Sequence, residues 1–451
     1  MSAGQGSLAA AIILFLLACL VPALWRKRGP WDPFDARNAF VFFFALYTLP
    51  YPALIYLRDV PPLLPSFDDG LVVRALVLSL AGLLAFYGGY AWSLGDRIAG
   101  KIPPVHPGSP AKALRSAVLV LVIGGVLFGA FVTTVGGPAA YLRAGYLGLY
   151  RLEQGREYMA IGLTLLGTGL VLLYHAAYET RSRVVGVLTW TLIVALGALL
   201  FAIGRRRYLL TLILAIVVYR HYRKQRLSVP VLLAFGGVGF LLFNVWGLLR
   251  RFPWHALLSR AAWSAVLQRP LRDFVYTVAG EGEFSGAGVW LPQVITRLAS
   301  GDLSYFYGLS YLQAPIVFIP RLLYPGRPPM LSEWYVTTFH PELAAQGGGM
   351  GFFFLAEAYL NFGVVGVLAV MALAGIVFRC AAGYLRRNQK SAAAVLLYAA
   401  LISWIPSGIR VDFATAIKGF TEFFFVILLL AVLYSAGWRT RREPVPGAAH
   451  G

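Results

Sequence analysis

Residues 116–136 read SAVLVLVIGGVLFGAFVTTVG, without one ionisable side chain among them. A helix of about 20 residues crosses the ~30 Å hydrocarbon layer of a bilayer, and this stretch has the length and the composition for it. Comparable apolar blocks lie at 7–24, 38–57, 71–93, 159–177, 184–203, 208–219, 228–248, 351–378, 391–407 and 419–437. The expectation is therefore an all-α polytopic membrane protein with about 11 transmembrane helices. The block 208–219 is short, but it sits between two basic clusters whose Arg and Tyr side chains would anchor it at the interfaces. The first block also has the length of a signal-peptide core. Its uncharged start, MSAGQGS, lacks a positive n-region, and Trp25-Arg26-Lys27-Arg28 after it is a stop-transfer pattern.

Composition agrees. Of 451 residues 59% are hydrophobic and 13% charged, a balance that an ordinary soluble domain does not carry. Two cysteines, Cys19 and Cys380, leave nothing for a disulfide framework or a Cys-rich metal site. The net charge of +20 sits on short loops and not on a basic arm, so it reads as a topology signal, and no nucleic-acid partner is expected.

Alternate loops differ in charge. Arg26, Lys27, Arg28 and Arg37; Arg97, Lys101, Lys112 and Arg115; Arg181 and Arg183; Arg220, Arg223, Lys224 and Arg226; Arg379, Arg386, Arg387 and Lys390; and Arg439, Arg441 and Arg442 fall on one side. The positive-inside rule makes that side cytoplasmic, with the N-terminus outside and the C-terminus inside. The chain then divides into helices 1–8 over residues 1–248, one large outward loop over 249–349, and helices 9–11 with a cytoplasmic tail over 350–451. Loops this long are usually functional. Within it, Trp254 to Leu267 reads as a surface amphipathic helix. Gln313 to Leu323, broken by Pro315 and Pro320, would dip back toward the membrane if protein or water covers its backbone.

Several chemistries find no support. There is no GxxxxGK[ST] and no strand-to-helix GxGxxG, no HExxH among the six scattered histidines, and no GxSxG elbow. No internal repeat with paired broken helices points to a transporter.

What the outer side does hold is arginine beside carboxylates. Gly204-Arg205-Arg206-Arg207-Tyr208 places three guanidinium groups in one turn, a grouping suited to a phosphate or to lipid headgroups. Arg321 and Arg327 lie in a tract framed by Pro320, Pro325, Gly326, Pro328 and Pro329, which reads as a preformed anion site or as a structural turn. Arg410 either joins that set or pairs with Asp412. Arg143, Arg151 and Arg156 line another outer loop with Tyr141, Tyr146 and Tyr150, a mixture able to hold an anion and stack on sugars, or a solvated face. Among the rarer acids, Glu281 and Glu283 stand in the turn Gly280-Glu281-Gly282-Glu283-Phe284, where shielding from water would make either a general base or a nearby arginine would simply pair with it. Glu357 lies at the outer start of the ninth helix, and an ionisable residue at that depth is costly unless it is functional or tightly paired.

These stretches together, the GRRR turn, GEGEF, Tyr307-Gly308-Leu309-Ser310-Tyr311 leading to Ile319-Pro320-Arg321-Leu322-Leu323-Tyr324-Pro325, and Ala356-Glu357-Ala358-Tyr359-Leu360-Asn361-Phe362-Gly363-Val364-Val365-Gly366, resemble the oligosaccharide-repeat-unit (O-antigen, Wzy-type) polymerases of bacterial envelopes. The resemblance implies a multi-spanning, GT-C-like glycosyltransferase in the bacterial inner membrane with its site on the outer face. Such an enzyme would move a growing glycan from undecaprenyl pyrophosphate to a hydroxyl of an incoming lipid-linked repeat unit, most simply in one inverting step. Its partners would be the undecaprenyl-pyrophosphate-linked oligosaccharides and the bilayer, and it allows a chain-length regulator. It implies no nucleotide, metal or redox cofactor. Arg205, Arg206 and Arg207 would hold the pyrophosphate, with Arg321, Arg327, Arg410 and Tyr324 on the same anion or glycan. Glu283 would be the base, followed by Glu281, His340 and Glu357. The competing expectations are an O-antigen ligase or another polyprenyl-linked sugar transferase, a lipid-linked oligosaccharide exporter, and a non-catalytic scaffold.

Overall fold

The computed structural model describes the chain except residues 1–2, 25–30, 59, 61–63, 105–108, 154, 250–259, 261–262, 265–284, 320, 322, 346–350, 422–427, 431, 433 and 435–451. Among the described residues the regular structure is entirely helical. In chain order the helices are α1 (Ala3–Leu24), α2 (Ala36–Thr48), α3 (Pro50–Tyr56), α4 (Asp69–Ala91), α5 (Leu94–Lys101), α6 (Pro110–Thr134), α7 (Gly137–Arg143), α8 (Gly145–Glu153), α9 (Glu157–Thr180), α10 (Arg183–Ala202), α11 (Arg206–Arg223) and α12 (Val229–Leu249). After these come α13 (Ser285–Ser300), α14 (Leu309–Gln313), a 3₁₀ turn (Ala314–Phe318), α15 (Leu331–Phe339), α16 (Pro341–Ala345), α17 (Phe354–Asn388), α18 (Ala392–Arg410) and α19 (Phe413–Phe420).

Among the described residues eight helical stretches are long and apolar enough to cross a membrane: α1, α2 with α3, α4, α6, α9, α10, α17 and α18. They coincide with eight of the eleven apolar blocks. Of the other three, 208–219 lies inside α11, whose ends carry Arg206, Arg207, Arg220 and Arg223; 228–248 is the apolar helix α12; and 419–437 lies mostly outside the described residues. The chain is a multi-pass membrane protein.

Water provides little drive for helix association inside a bilayer, so close packing through small residues must supply it. Gly89 on α4 and Gly375 on α17 show this: a Cβ on Gly89 would collide with the Ala372 carbonyl, and one on Gly375 with the Phe86 carbonyl. The helix starts are set by polar caps. The side chains of Asp35, Asp68, Ser182, Ser391 and Asp412 each accept a backbone N–H in the first turn that follows.

One end of the bundle gathers the basic short loops into ion pairs. Asp96 accepts from Arg379 (Nε, 2.8 Å) and Arg386 (2.9 Å). Arg223 pairs with Glu179 at 2.9 Å and donates to the Lys390 carbonyl at 3.1 Å. Asp32 accepts from Tyr222 (2.9 Å) and stands 3.3 Å from His221 Nε2. The opposite end carries α13 to α16 and the break in α17.

That break shapes this end of the bundle. Phe362 (φ −141°, ψ 19°) and Gly363 (φ 60°, ψ −143°) depart from helical geometry inside α17. The Gly363 conformation lies where side-chain-bearing residues are strained. The Leu360 and Asn361 carbonyls accept from the Phe306 (3.0 Å) and Tyr307 (3.1 Å) N–H groups. Irregular backbone in a spanning helix is tolerated only where other groups satisfy it, and here the segment leading into α14 does so.

Candidate functional site

At this break several elements converge on one buried polar cluster. Glu357, 1% exposed, accepts from the Ser310 hydroxyl through Oε1 (2.6 Å) and from the Phe413 N–H through Oε2 (2.6 Å). Asn361, fully buried, donates to Ser310 Oγ (2.8 Å) and to the Glu357 carbonyl (2.9 Å), and its Oδ1 accepts from the Gly308 N–H (3.0 Å). Asp412, also fully buried, accepts from the Thr415 N–H (3.0 Å) and hydroxyl (2.8 Å) and from the Ser332 N–H (3.4 Å). Two carboxylates and one amide thereby tie α14, α15, α17 and α19 together. Buried polar groups carry this many bonds because each one left unmade costs about 1–3 kcal/mol.

Above the cluster opens a cavity of about 220 Å³. Glu357, Asp412, Ser310 and Gln313 supply its polar edge, and Phe306, Trp334, Met330 and the Pro328–Pro329 pair form the apolar wall. An apolar pocket with a few convergent polar groups is the usual form of a small-molecule site. Both Glu357 oxygens and Asp412 Oδ1 accept one bond each and keep further acceptor capacity, whereas Asp412 Oδ2 already takes two, so a hydroxyl entering the cavity would find acceptors at its base.

The expected site residues fall into separate groups. Arg205 is buried and pairs with Glu153, and its guanidinium lies 5.9 Å from the Tyr208 ring. Arg206 is buried at the first turn of α11. Arg207 lies over the Tyr208 ring (5.2 Å) and the Trp404 ring of α18 (5.9 Å), and Trp404 in turn packs against Phe420 and Gly419 of α19. The GRRR turn thus reaches, through Trp404, the last turn of α19, the end opposite its Asp412 cap. Arg410 ends α18 beside Gly351. Asp412 itself caps α19 and takes the Ser332 N–H.

The proline-framed tract forms a second group. Arg321 makes two 2.8 Å bonds to the Glu333 carboxylate, both side chains being partly exposed. Arg327 donates to the carbonyls of Val317 (2.8 Å) and Ile319 (3.0 Å), which clasps the end of the 3₁₀ turn. That is the structural alternative for Arg327. Tyr324 is exposed. His340 caps α15 near the Tyr335 ring (6.0 Å); burial and the Arg297 charge hold its pKa below the usual value. Glu281 and Glu283, like most of 254–267, lie outside the described residues.

Tyr141 does not line a loop surface. It is buried, edge-on to Phe128 and Phe131, so it packs the base of α7 instead of facing a glycan. Arg151 reaches the Ala345 carbonyl (3.2 Å) and ties α8 to α16. Reasoning from sequence missed Asp412 as a member of the buried cluster, and Ser310 and Asn361 appeared only as letters of longer motifs. The signal for all three was available: polar residues in or beside apolar spans pair with one another.

No solved structure matches the chain. Over 77 residues it is 44% identical to protein CapE of Staphylococcus aureus, a match covering 17% of this chain and 16% of that protein. The model of the family described as O-antigen polysaccharide polymerase Wzy matches residues 6–439, nearly the full length and every element of the site above. The chain belongs to the O-antigen polysaccharide polymerase Wzy family.

Proposed function

We propose that this protein polymerises oligosaccharide repeat units carried on undecaprenyl pyrophosphate, at the outer face of the inner membrane, and that the cavity beside the break in α17 receives the acceptor sugar. The observation that carries this reading is the pair of buried carboxylates, Glu357 and Asp412, on the wall of an apolar cavity at the end of the bundle opposite the basic loops. Sugar hydroxyls donate to carboxylates, and the rings of Trp334 and Phe306 offer apolar faces to the C–H side of a pyranose.

In this reading a hydroxyl of the acceptor sugar attacks the anomeric carbon of the donor glycan. The bond from that carbon to the pyrophosphate oxygen breaks, undecaprenyl pyrophosphate leaves with the electron pair, and the hydroxyl proton passes to a base. Preorganised positive charge stabilises a leaving pyrophosphate; in this reading Arg206 and Arg207 of the GRRR turn take that role beside Arg205 on Glu153, and Arg321, in the separate proline-framed group, exchanges Glu333 for the glycan or its anion. Two carboxylates compete for the base. Glu283 is favoured by its glycine-framed turn and Glu357 by its place on the cavity wall, with Glu281 and His340 behind them.

The test is reconstitution of purified protein in lipid with undecaprenyl-pyrophosphate-linked repeat units, the products resolved on a gel. The expected result is a ladder of multiples that is lost in Arg321→Ala. Between the two candidates, the base is the one whose Gln variant stays folded, still binds the lipid-linked acceptor and loses the ladder. A donor pool left unchanged by folded wild-type protein would defeat the polymerase reading, and transfer only when a lipid A core is added would make it a ligase.

A further inference from the structure

The end of the bundle opposite the candidate site holds a second cavity that polymerisation does not use. It is open, has a volume of about 490 Å³, and lies where α9 turns into α10, against the end of α11. Its lining includes Arg181, Arg183, Arg223, Tyr178, Ser182 and Glu179. Glu179 is engaged by Arg223 at 2.9 Å, so the three guanidinium groups face one carboxylate and the cavity keeps an excess of positive charge.

The framework around it is fixed. Arg181 occupies the left-handed region (φ 53°) that makes the α9–α10 turn, and Ser182 accepts the Val185 N–H to start α10. The Tyr178 hydroxyl donates to the Arg223 carbonyl (2.7 Å), and the Tyr178 ring lies 5.6 Å from the Arg223 guanidinium. A guanidinium fork binds phosphate oxygens by paired charge-assisted hydrogen bonds.

A second observation indicates where such a phosphate would come from. Directly beyond Arg183, α10 carries an exposed apolar strip at helical spacing: Val184 (78% exposed), Val187 (68%), Leu188 (51%) and Val194 (67%). The strip starts one residue after the cavity-lining Arg183 and follows a membrane-spanning helix. A free phosphate has no use for it, whereas a lipid would place its headgroup among the arginines and its acyl chains along the valines. Basic pockets at the ends of spanning helices recognise anionic headgroups in this way.

We infer that the Arg181–Arg183–Arg223 cavity is a binding site for the phosphate of an anionic phospholipid whose acyl chains lie along α10. The full-length protein, purified in detergent and delipidated, is titrated by native mass spectrometry with phosphatidylglycerol and with phosphatidylcholine of the same acyl chains. Phosphatidylglycerol is expected to bind roughly tenfold or more tightly than phosphatidylcholine, since each nearby arginine adds about 1 kcal/mol toward an anionic lipid. Arg181→Gly with Arg183→Gln, glycine being suited to the left-handed turn, should abolish that preference. Glu179→Gln, which removes the one negative lining charge and keeps all three arginines, should strengthen it. Millimolar inorganic phosphate should fail to displace the lipid.

Equal affinity for the two lipids in the wild-type protein would overturn the inference, as would an undiminished preference in a double variant with unchanged melting temperature. Phosphatidylglycerol displaced by millimolar phosphate would assign the cavity to a free anion, and a dimer that covers α10 would give the strip to a second copy of the chain. Either result overturns the lipid assignment.

Discussion

The two ends of the bundle solve different problems with different interactions. At the basic end, apart from the buried His221 beside Asp32, charges meet at partly exposed positions, as in Arg379 and Arg386 on Asp96 and Arg223 on Glu179. Solvent screens such pairs, and each is worth only about 0–1 kcal/mol. At the other end a spanning helix is broken at Phe362–Gly363, and Glu357, Asn361 and Asp412 are almost fully removed from solvent. Every bond there holds a group that would otherwise be stranded. One end is therefore tolerant and repetitive, suited to orientation and to the membrane surface, while the other is specific and intolerant, as a site must be.

Four substitutions test that contrast, taken from the largest expected effect to the smallest. Asn361→Leu strands the Gly308 N–H and takes one donor each from Ser310 Oγ and the Glu357 carbonyl, and should cost about 3 kcal/mol; a sharp fall in detergent-solubilised melting temperature is the readout. Gly363→Ala forces a side chain into the conformation at φ 60°, ψ −143°, at about 1–3 kcal/mol, and should reduce polymer output along with stability. Asp96→Asn at the basic end removes two screened pairs and should cost about 1 kcal/mol or less with the polymer ladder intact. If Asp96→Asn destabilised the protein as much as Asn361→Leu, the contrast between the ends would be lost. The smallest effect concerns pH. The unfolded chain protonates His340 near 6.5, and in the fold its pKa is lowered by burial and then by Arg297. The residue therefore costs no stability above about 6.5 and progressively more as the pH falls below it. His340→Gln should flatten a plot of melting temperature against pH on the acid side.

Much of the fold was legible because the bilayer imposes a length. Blocks such as 116–136 and 184–203 carry few alternatives once about 20 apolar residues are required, and eight of the eleven became spanning candidates. The break in α17 was not legible. Gly363 sits in an apolar run, and nothing local distinguishes a glycine at a helix break from one that lets helices approach, as Gly375 does; only the segment 306–308 docking on the freed carbonyls decides it. The site was half legible. Glu357 stood out as an ionisable residue at the start of a span, yet its partners come from residues 310 and 413, on either side of it in the chain. Arginines were the poorest guide. Charge type and side singled out Arg205 and Arg327, but Glu153 takes the first and two backbone carbonyls take the second, because a guanidinium serves a carboxylate, a carbonyl or a phosphate with the same fork.

The most direct test of the central claim compares one carboxylate from each end. Wild-type, Glu357→Gln and Asp96→Asn proteins, reconstituted at equal folded amounts with undecaprenyl-pyrophosphate-linked repeat units, are assayed for the polymer ladder. The account predicts a full ladder from wild type and Asp96→Asn and only unpolymerised repeat units from Glu357→Gln. A full ladder from folded Glu357→Gln would contradict it and move the acceptor site away from the break in α17.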